Sequence, residues 1–179
     1  LEFDIEHLAE PSTCQTLALS SAIDVYRDSG QPALAAGESY CLSQSLLASQ
    51  ADQILLHPEG GMFLEGFSVY RSYLRSFLEK TRVTMHVFRA GDNKSAVEPY
   101  LRDDMSDGER EVVSRWLEGL WGAYTEMVES GRELPAGTMD QFIASLPAQL
   151  AASDNDLAET MLAAGWVDVL ADHAQMQEA

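Results

Sequence analysis

The sequence predicts an α/β domain in which an open, mostly parallel sheet is flanked by helices, and three patterns lead there. Short apolar runs of strand length recur at residues 32–36, 53–57 and 83–88. Segments with helical spacing separate them, as the crossovers between parallel strands require. The chain of 179 residues with 46% hydrophobic residues can bury one core, so the expected organisation is a single domain over 1–179, with a possible helical subregion over 106–179.

The elements follow in order. Leu1-Glu2-Phe3-Asp4-Ile5-Glu6 alternates apolar and polar from the first residue, so the chain reads as opening inside a strand and as excised from a longer protein. Pro11-Ser12-Thr13 supplies helix-start chemistry, and Leu17, Ile23, Val25 and Tyr26 give an apolar face that ends at Gly30. Pro32-Ala33-Leu34-Ala35-Ala36 is a buried-type strand closed by Gly37, and residues 41–49 form a small-residue helix. Gln53-Ile54-Leu55-Leu56-His57 is the next strand, Pro58-Glu59-Gly60-Gly61 a turn, and residues 62–67 a short extended segment. Residues 69–79 return to helical spacing, and Val83-Thr84-Met85-His86-Val87-Phe88 is β-rich. Leu34, Ile54, Leu55 and Val87 are expected to be buried in strands.

Ser106-Asp107-Gly108-Glu109 has the capping-box pattern, so a long helix is expected to run to Gly131. Its apolar face carries Val112, Val113, Trp116, Leu117, Leu120, Trp121, Tyr124, Met127 and Val128, wide enough to pack on the sheet and to offer two indoles to a partner. Shorter helices follow at 138–150, where Pro147 should bend or interrupt the helix, and at 156–164, which Gly165 ends. Trp166-Val167-Asp168-Val169-Leu170 is a short strand or turn, and the polar tail is expected to fray.

Composition excludes several functions. A net charge of −18 opposes broad contact with phosphate backbones, so no nucleic-acid partner is expected. Cys14 and Cys41 are too few for a disulfide scaffold. His7, His57, His86 and His173 are scattered, with no zinc spacing, so neither metal nor other cofactor is expected. Gly60-Gly61 lacks the Lys-Ser/Thr of a phosphate loop. Asp103-Asp104 reads as a solvated cluster near a helix start, not as an acid/base pair. No apolar run approaches the roughly 20 residues that span a bilayer, so the chain itself is expected to be soluble.

The segment Val87-Phe88-Arg89-Ala90-Gly91-Asp92-Asn93-Lys94-Ser95-Ala96-Val97-Glu98-Pro99-Tyr100 carries a resemblance. Together with Leu101-Arg102-Asp103-Asp104-Met105-Ser106, Ser114-Arg115-Trp116, Gly37-Glu38-Ser39-Tyr40, Ala51-Asp52-Gln53-Ile54-Leu55-Leu56 and Gly165-Trp166-Val167-Asp168, it resembles the N-terminal half of the long bacterial signal peptide peptidase A family, also called protease IV. The resemblance implies a fold like that of the Clp protease and the crotonases, built of stacked ββα units. It implies a two-half serine peptidase with a Ser/Lys dyad, anchored in the bacterial inner membrane on the periplasmic side and assembled as a homotetramer, whose substrates are cleaved signal peptides. By the same resemblance Lys94 is the catalytic lysine and the nucleophilic serine comes from the absent C-terminal half. The serine's position falls near Leu42 here, with Ser39, Ser43 and Ser45 off the matching place. Asp92-Asn93 departs from the family's pattern.

A lysine suits this task only when neutral. Its amine titrates at about 10.4 in model peptides, and burial among apolar atoms lowers that value by penalising the charged form. Ser95, Ala96 and Val97 keep the neighbourhood small and uncharged, whereas Asp92 and Glu98 would oppose the shift if they approached the amine. A neutral amine can then take the serine proton, as histidine does in other triads. The isolated chain is expected to be inactive for want of a nucleophile and oxyanion donors. Two other readings stand beside this one: an assembly module with a vestigial lysine, and a crotonase-like acyl-CoA enzyme, since fold does not fix function.

Overall fold

The computed structural model describes residues 2–4, 13–88 and 95–178. They form two compact units, one of Leu1–Gly66 with Ala123–Ala179, the other of Phe67–Gly122.

The first unit holds a four-stranded sheet in the order β1 (Glu2–Asp4), β2 (Leu34–Gly37), β3 (Gln53–Leu56), β4 (Val169–Leu170), with every neighbouring pair parallel. Parallel strands need crossovers, and the helices α1 (Thr13–Asp28) and α2 (Leu42–Ala48) provide the first two. The α/β class read from the alternation is therefore present. Ala35 and Ala36 of β2 and Ile54, Leu55 and Leu56 of β3 are all buried, which explains why both strands read as continuous apolar runs. One extended residue after each of these strands, Tyr40 and Met62, bridges the other in parallel, and this bridge is all that forms of the extended segment expected at 62–67.

Side chains fix the strand ends. Asp52 accepts from the Ala33 amide at 2.8 Å and from Arg27 Nε at 2.9 Å, tying α1 to the approach to β2. Of the apolar face expected on α1, Ile23 is buried and Val25 is 71% exposed, the side chain of Leu17 lies outside the described residues, and Thr16 and Ser20 are buried as well. Gly60 is required by close approach, because any Cβ at this turn would collide with the Glu38 carbonyl.

The long helix α5 (Asp107–Gly131) begins in the second unit and ends in the first, where Tyr124 and Val128 are buried. Buried Glu129 accepts from the amides of Gly137 and Met139 at 3.0 and 2.8 Å, satisfying the free donors at the start of α6 (Thr138–Ala152). That helix continues through Pro147 instead of breaking there. Asp156 caps α7 (Leu157–Ala163) by accepting from the Glu159 amide at 2.9 Å, and Gly165, at a φ of 78°, closes it as expected. The expected frayed tail is instead α8 (His173–Glu178), because Asp172 and Gln175 exchange side-chain to amide hydrogen bonds at 2.9 Å in a reciprocal cap and Met176 packs with Ala36, Leu55 and Ala171.

The second unit departs further from expectation. The helix expected at 69–79 shrinks to α3 (Arg75–Lys80), and no strand forms at 83–88. A β-prone run becomes a strand only by pairing, and here it has no partner among the described residues. Val87 is half-buried outside any strand, and Val83, Met85 and Phe88 are exposed. A single 3-10 turn (Ser95–Val97), α4 (Glu98–Leu101) and the first half of α5 complete the unit, in which no described residue is buried.

Trp166, fully buried and edge-on to Phe142 with ring centroids 5.5 Å apart, is the largest side chain sealed in the first unit. Trp166→Ala should cost about 3–5 kcal/mol, read as a lowered urea midpoint with an unchanged slope. A cost below about 1 kcal/mol would mean that the indole is not part of the core.

Candidate functional site

At the carboxyl end of β2 the chain turns through Glu38, Ser39, Tyr40 and Cys41 into α2. This is the edge where open parallel sheets place their ligands. Gly37 admits the Tyr40 ring against the strand backbone, and the buried Tyr40 hydroxyl donates to the Leu55 carbonyl at 2.5 Å. Burial drives that phenol's pKa far above its usual value, so it is a fixed donor with no acid/base role. The Tyr40 amide donates to the Gly61 carbonyl at 2.9 Å and the Tyr40 carbonyl accepts from the Phe63 amide at 2.8 Å, which fixes the turn from both sides.

Leu42 is the first residue of α2 and Cys41 caps it, with the Cys41 amide donating to Gln44 Oε1 at 2.8 Å. The hydroxyls around it differ in state. Ser45 is buried and gives its proton to the Leu42 carbonyl at 2.9 Å, so the 2.7 Å contact with Tyr124 must be donated by the tyrosine. Tyr124 has its pKa pushed up to about 12 by burial, which keeps it protonated for that role. Ser43 Oγ lies 3.3 Å from Cys41 Sγ. Ser39 is half-buried and has no hydrogen bond among the described residues. None of the three has a base hydrogen-bonded to it among the described residues.

Sequence reading treated the histidines as scattered, yet the sheet collects two of them. Glu38 follows β2 directly, His57 follows β3 directly, and His173 comes three residues after the end of β4. His173 Nε2 lies 2.7 Å from Glu38 Oε1, and the two imidazoles stand 5.2 Å apart. The available signal was that each residue closely follows a strand, which puts all three at one edge of a parallel sheet. His57 Nδ1 accepts from the Glu59 amide at 3.2 Å, which commits that nitrogen. Among the described residues no three of His, Cys, Asp and Glu converge to hold a metal ion. His86 is exposed in the unpaired run, and His7 lies outside the described residues.

Lys94 also lies outside the described residues, which stop at Phe88 and resume at Ser95. Its flanks are described. Residues 83–85 border an open groove of about 450 Å³ with Leu78, Tyr100 and Leu101 on one hand and the charged Arg75, Glu79 and Arg82 on the other, so its lining is mixed. Downstream, Glu98 accepts from the Ser106 hydroxyl at 2.5 Å and from the Ser106 amide at 3.2 Å, while Ser106 Oγ accepts from the Glu109 amide at 3.2 Å. The helix-start pattern read at Ser106 is thus real, but its reciprocal carboxylate is Glu98; Glu109 turns instead to Arg71 at 2.9 Å. Asp103 accepts from the Ser76 amide at 2.8 Å and caps α3, and Asp104 pairs with Arg102 at 2.9 Å. Both are structural anchors of the segment that leaves Lys94.

The hydrogen bonds from Ser106 hold the Glu98 carboxyl below its usual range. A depressed carboxylate pKa contributes stability that is complete above the unfolded value of about 4.3 and is lost as pH falls through the folded value. Amide exchange at Ser106 and Glu109 should therefore quicken as pH drops below about 4, after correction for intrinsic rates, and Glu98→Gln should flatten that dependence. An unchanged profile in the variant would remove Glu98 as the anchor.

The sequence was compared with known proteins. Residues 26–171 match the model of Peptidase family S49. A "Protease 4" of Salmonella typhi is 38% identical over 161 residues, covering 90% of this chain and 26% of that protein. A "Protease 4" of Haemophilus influenzae (strain ATCC 51907 / DSM 11121 / KW20 / Rd) is 39% identical over 116 residues, covering 65% of this chain and 19% of that protein. The chain thus spans about a quarter or less of the length of these relatives.

Proposed function

The chain belongs to peptidase family S49, and from that premise we propose that it is the lysine-bearing part of a Ser/Lys-dyad endopeptidase that degrades cleaved signal peptides at the membrane. In this reading Lys94 is the general base, and the serine comes from a second, similar half of the longer protein. That protein is a periplasm-facing homotetramer held in the inner membrane by an anchor outside this chain. Among the described residues no helix is long and apolar enough to cross a membrane.

One observation carries the division of labour. The start of α2, where the resemblance sets the nucleophile, presents Leu42, which has no group able to attack a carbonyl. The nearest buried hydroxyl, Ser45, is spent on the Leu42 carbonyl and Tyr124. By the resemblance the loop around Lys94 keeps the family's lysine, although Asp92-Asn93 departs from its pattern, whereas the nucleophile position near Leu42 is not filled. A base without a nucleophile is half of a dyad. The partner serine would lose its proton to the neutral Lys94 amine, attack the peptide carbonyl, and release the new amine as the proton returns to it.

Lys94→Ala and Lys94→Arg in the full-length protein should each reduce peptide cleavage by about a hundredfold to ten-thousandfold, because a guanidinium keeps its proton at any working pH. Near-normal turnover by the arginine variant would overturn the base assignment. The 179-residue chain alone should neither cleave peptides nor be labelled by a serine-directed phosphonate. Labelling at Ser39, Ser43 or Ser45 would show that the nucleophile lies in this chain after all.

A further inference from the structure

We propose that Ser106 is a positioning residue for the amine of Lys94: it holds the carboxylate of Glu98 at the start of α5 and so keeps it from becoming that amine's counter-ion. The consequence for catalysis rests on the reading of Lys94 as the general base, whereas the electrostatic claim stands without it.

Glu98 stands four positions after Lys94, the spacing at which a lysine and a glutamate one helical turn apart form an ion pair. Lys94 lies outside the described residues, yet one peptide bond joins it to Ser95, which puts their Cα atoms about 3.8 Å apart. Ser95–Val97 form the 3-10 turn that leads into Glu98, and three steps of about 2.0 Å cover the rest. The Cα atoms of Lys94 and Glu98 are therefore within about 10 Å of each other, a gap that the two side chains together close. A carboxylate beside an amine makes it keep its proton to higher pH, which is the wrong direction for a base that must be neutral to work.

The structure directs Glu98 elsewhere. The residue is half-buried, and one partner takes both of its oxygens: Oε1 accepts from Ser106 Oγ at 2.5 Å and Oε2 from the Ser106 amide at 3.2 Å. The charged groups that face it are the guanidiniums of Arg102, just past the end of its own helix, and of Arg71, before α3, and both favour the carboxylate where it is. The neighbouring acids are committed as well, Asp103 to the Ser76 amide, Asp104 to Arg102 and Glu109 to Arg71. Asp92 lies outside the described residues. Capping α5 asks of Ser106 only its hydroxyl oxygen, which accepts from the Glu109 amide at 3.2 Å. Donation of the hydroxyl proton to Glu98 is thus a second task for the same side chain, and it decides whether the carboxylate that follows Lys94 is free to reach the amine.

The chain has two lysines, Lys80 and Lys94, so carbon-13 NMR at the lysine Cε atoms of the 179-residue chain gives two signals, with exposed Lys80 as the internal reference and Lys80→Arg as the assignment. Ser106→Ala should raise the Lys94 titration midpoint by about 0.3 pH unit or more, the amount that a lysine and glutamate one turn apart supply, and leave Lys80 in place. Ser106→Thr keeps the hydroxyl and should leave both midpoints unchanged. Ser106→Ala combined with Glu98→Gln should bring the Lys94 midpoint back, because an amide carries no charge, whereas a shift caused by loss of the α5 cap would persist. A midpoint that Ser106→Ala does not move, or a shift that Glu98→Gln does not reverse, would overturn the proposal. In the full-length protein the acid limb of the kcat/KM profile should move to higher pH in Ser106→Ala, with kcat/KM above the limb unchanged. A loss equal at every pH would overturn the positioning role in favour of a structural one. Activity in Lys94→Arg would overturn the general-base reading and leave the titration result standing.

Discussion

The bidentate pair between Arg132 and Asp168 is the contact on which the first unit depends. Arg132 donates to both carboxylate oxygens at 2.6 and 3.0 Å and to the Gly165 carbonyl at 3.1 Å. Asp168 in turn accepts from the Ile54 amide at 2.8 Å and donates its own amide to the Ile54 carbonyl at 2.9 Å. One ion pair therefore joins the end of α5, the end of α7, the inner strand β3 and the edge strand β4. Planar guanidinium geometry matters here: a lysine could not satisfy two carboxylate oxygens and a carbonyl from one rigid fork. With the Arg132 side chain 11% exposed, the pair is screened far less than the surface pairs on α3 and α5.

That anchoring gives the unit its chemical character. The carboxyl edge of the sheet is built for precision, with Tyr40, Ser45 and Tyr124 all consumed in buried hydrogen bonds. The cost is reactivity, since the Ser45 hydroxyl is bonded to a carbonyl and held by a phenol, and no base hydrogen-bonds to it among the described residues. The other unit has the opposite character, with anchors at Glu98, Asp103 and Glu109 around an apolar surface that is left open. Division of a dyad between two parts of one protein fits this contrast: the part that keeps the base has spent its hydroxyls on structure.

Much of this was legible in the residues because it is local. Apolar strands too short to be helices, a carboxylate three residues before a free amide at Asp156, and glycines past the ends of α1 and α7 act within a few positions of themselves. What escaped the reading depends on neighbours distant in sequence. On α1 hydrophobicity marks Ile23 as buried correctly, but it also marks Val25, which is exposed, and passes over Thr16 and Ser20, which are buried. The run at 83–88 has every property of a strand except a second strand. Glu98 replaced Glu109 as the reciprocal cap because Arg71, 38 residues away, claims the nearer carboxylate. In contrast, the cap at Asp172 and Gln175 was visible and overlooked, since its spacing is the same as at Ser106. Lys94 itself rests on the resemblance of its loop, because the described residues stop on either side of it.

The unpaired run has a consequence for the chain as a physical substance. Val83-Thr84-Met85-His86-Val87-Phe88 contains no proline, no glycine and no acidic or permanently charged side chain. Among the described residues the amides from Thr84 to Phe88 have no backbone partner. Six such residues are the length at which identical segments stack into a dry cross-β interface. Arg82 before the run and Arg89 after it are the only charges in sequence that interrupt such stacking, so they act as gatekeepers. Neutralising that pair of arginines would turn an open segment into a seed for fibrils.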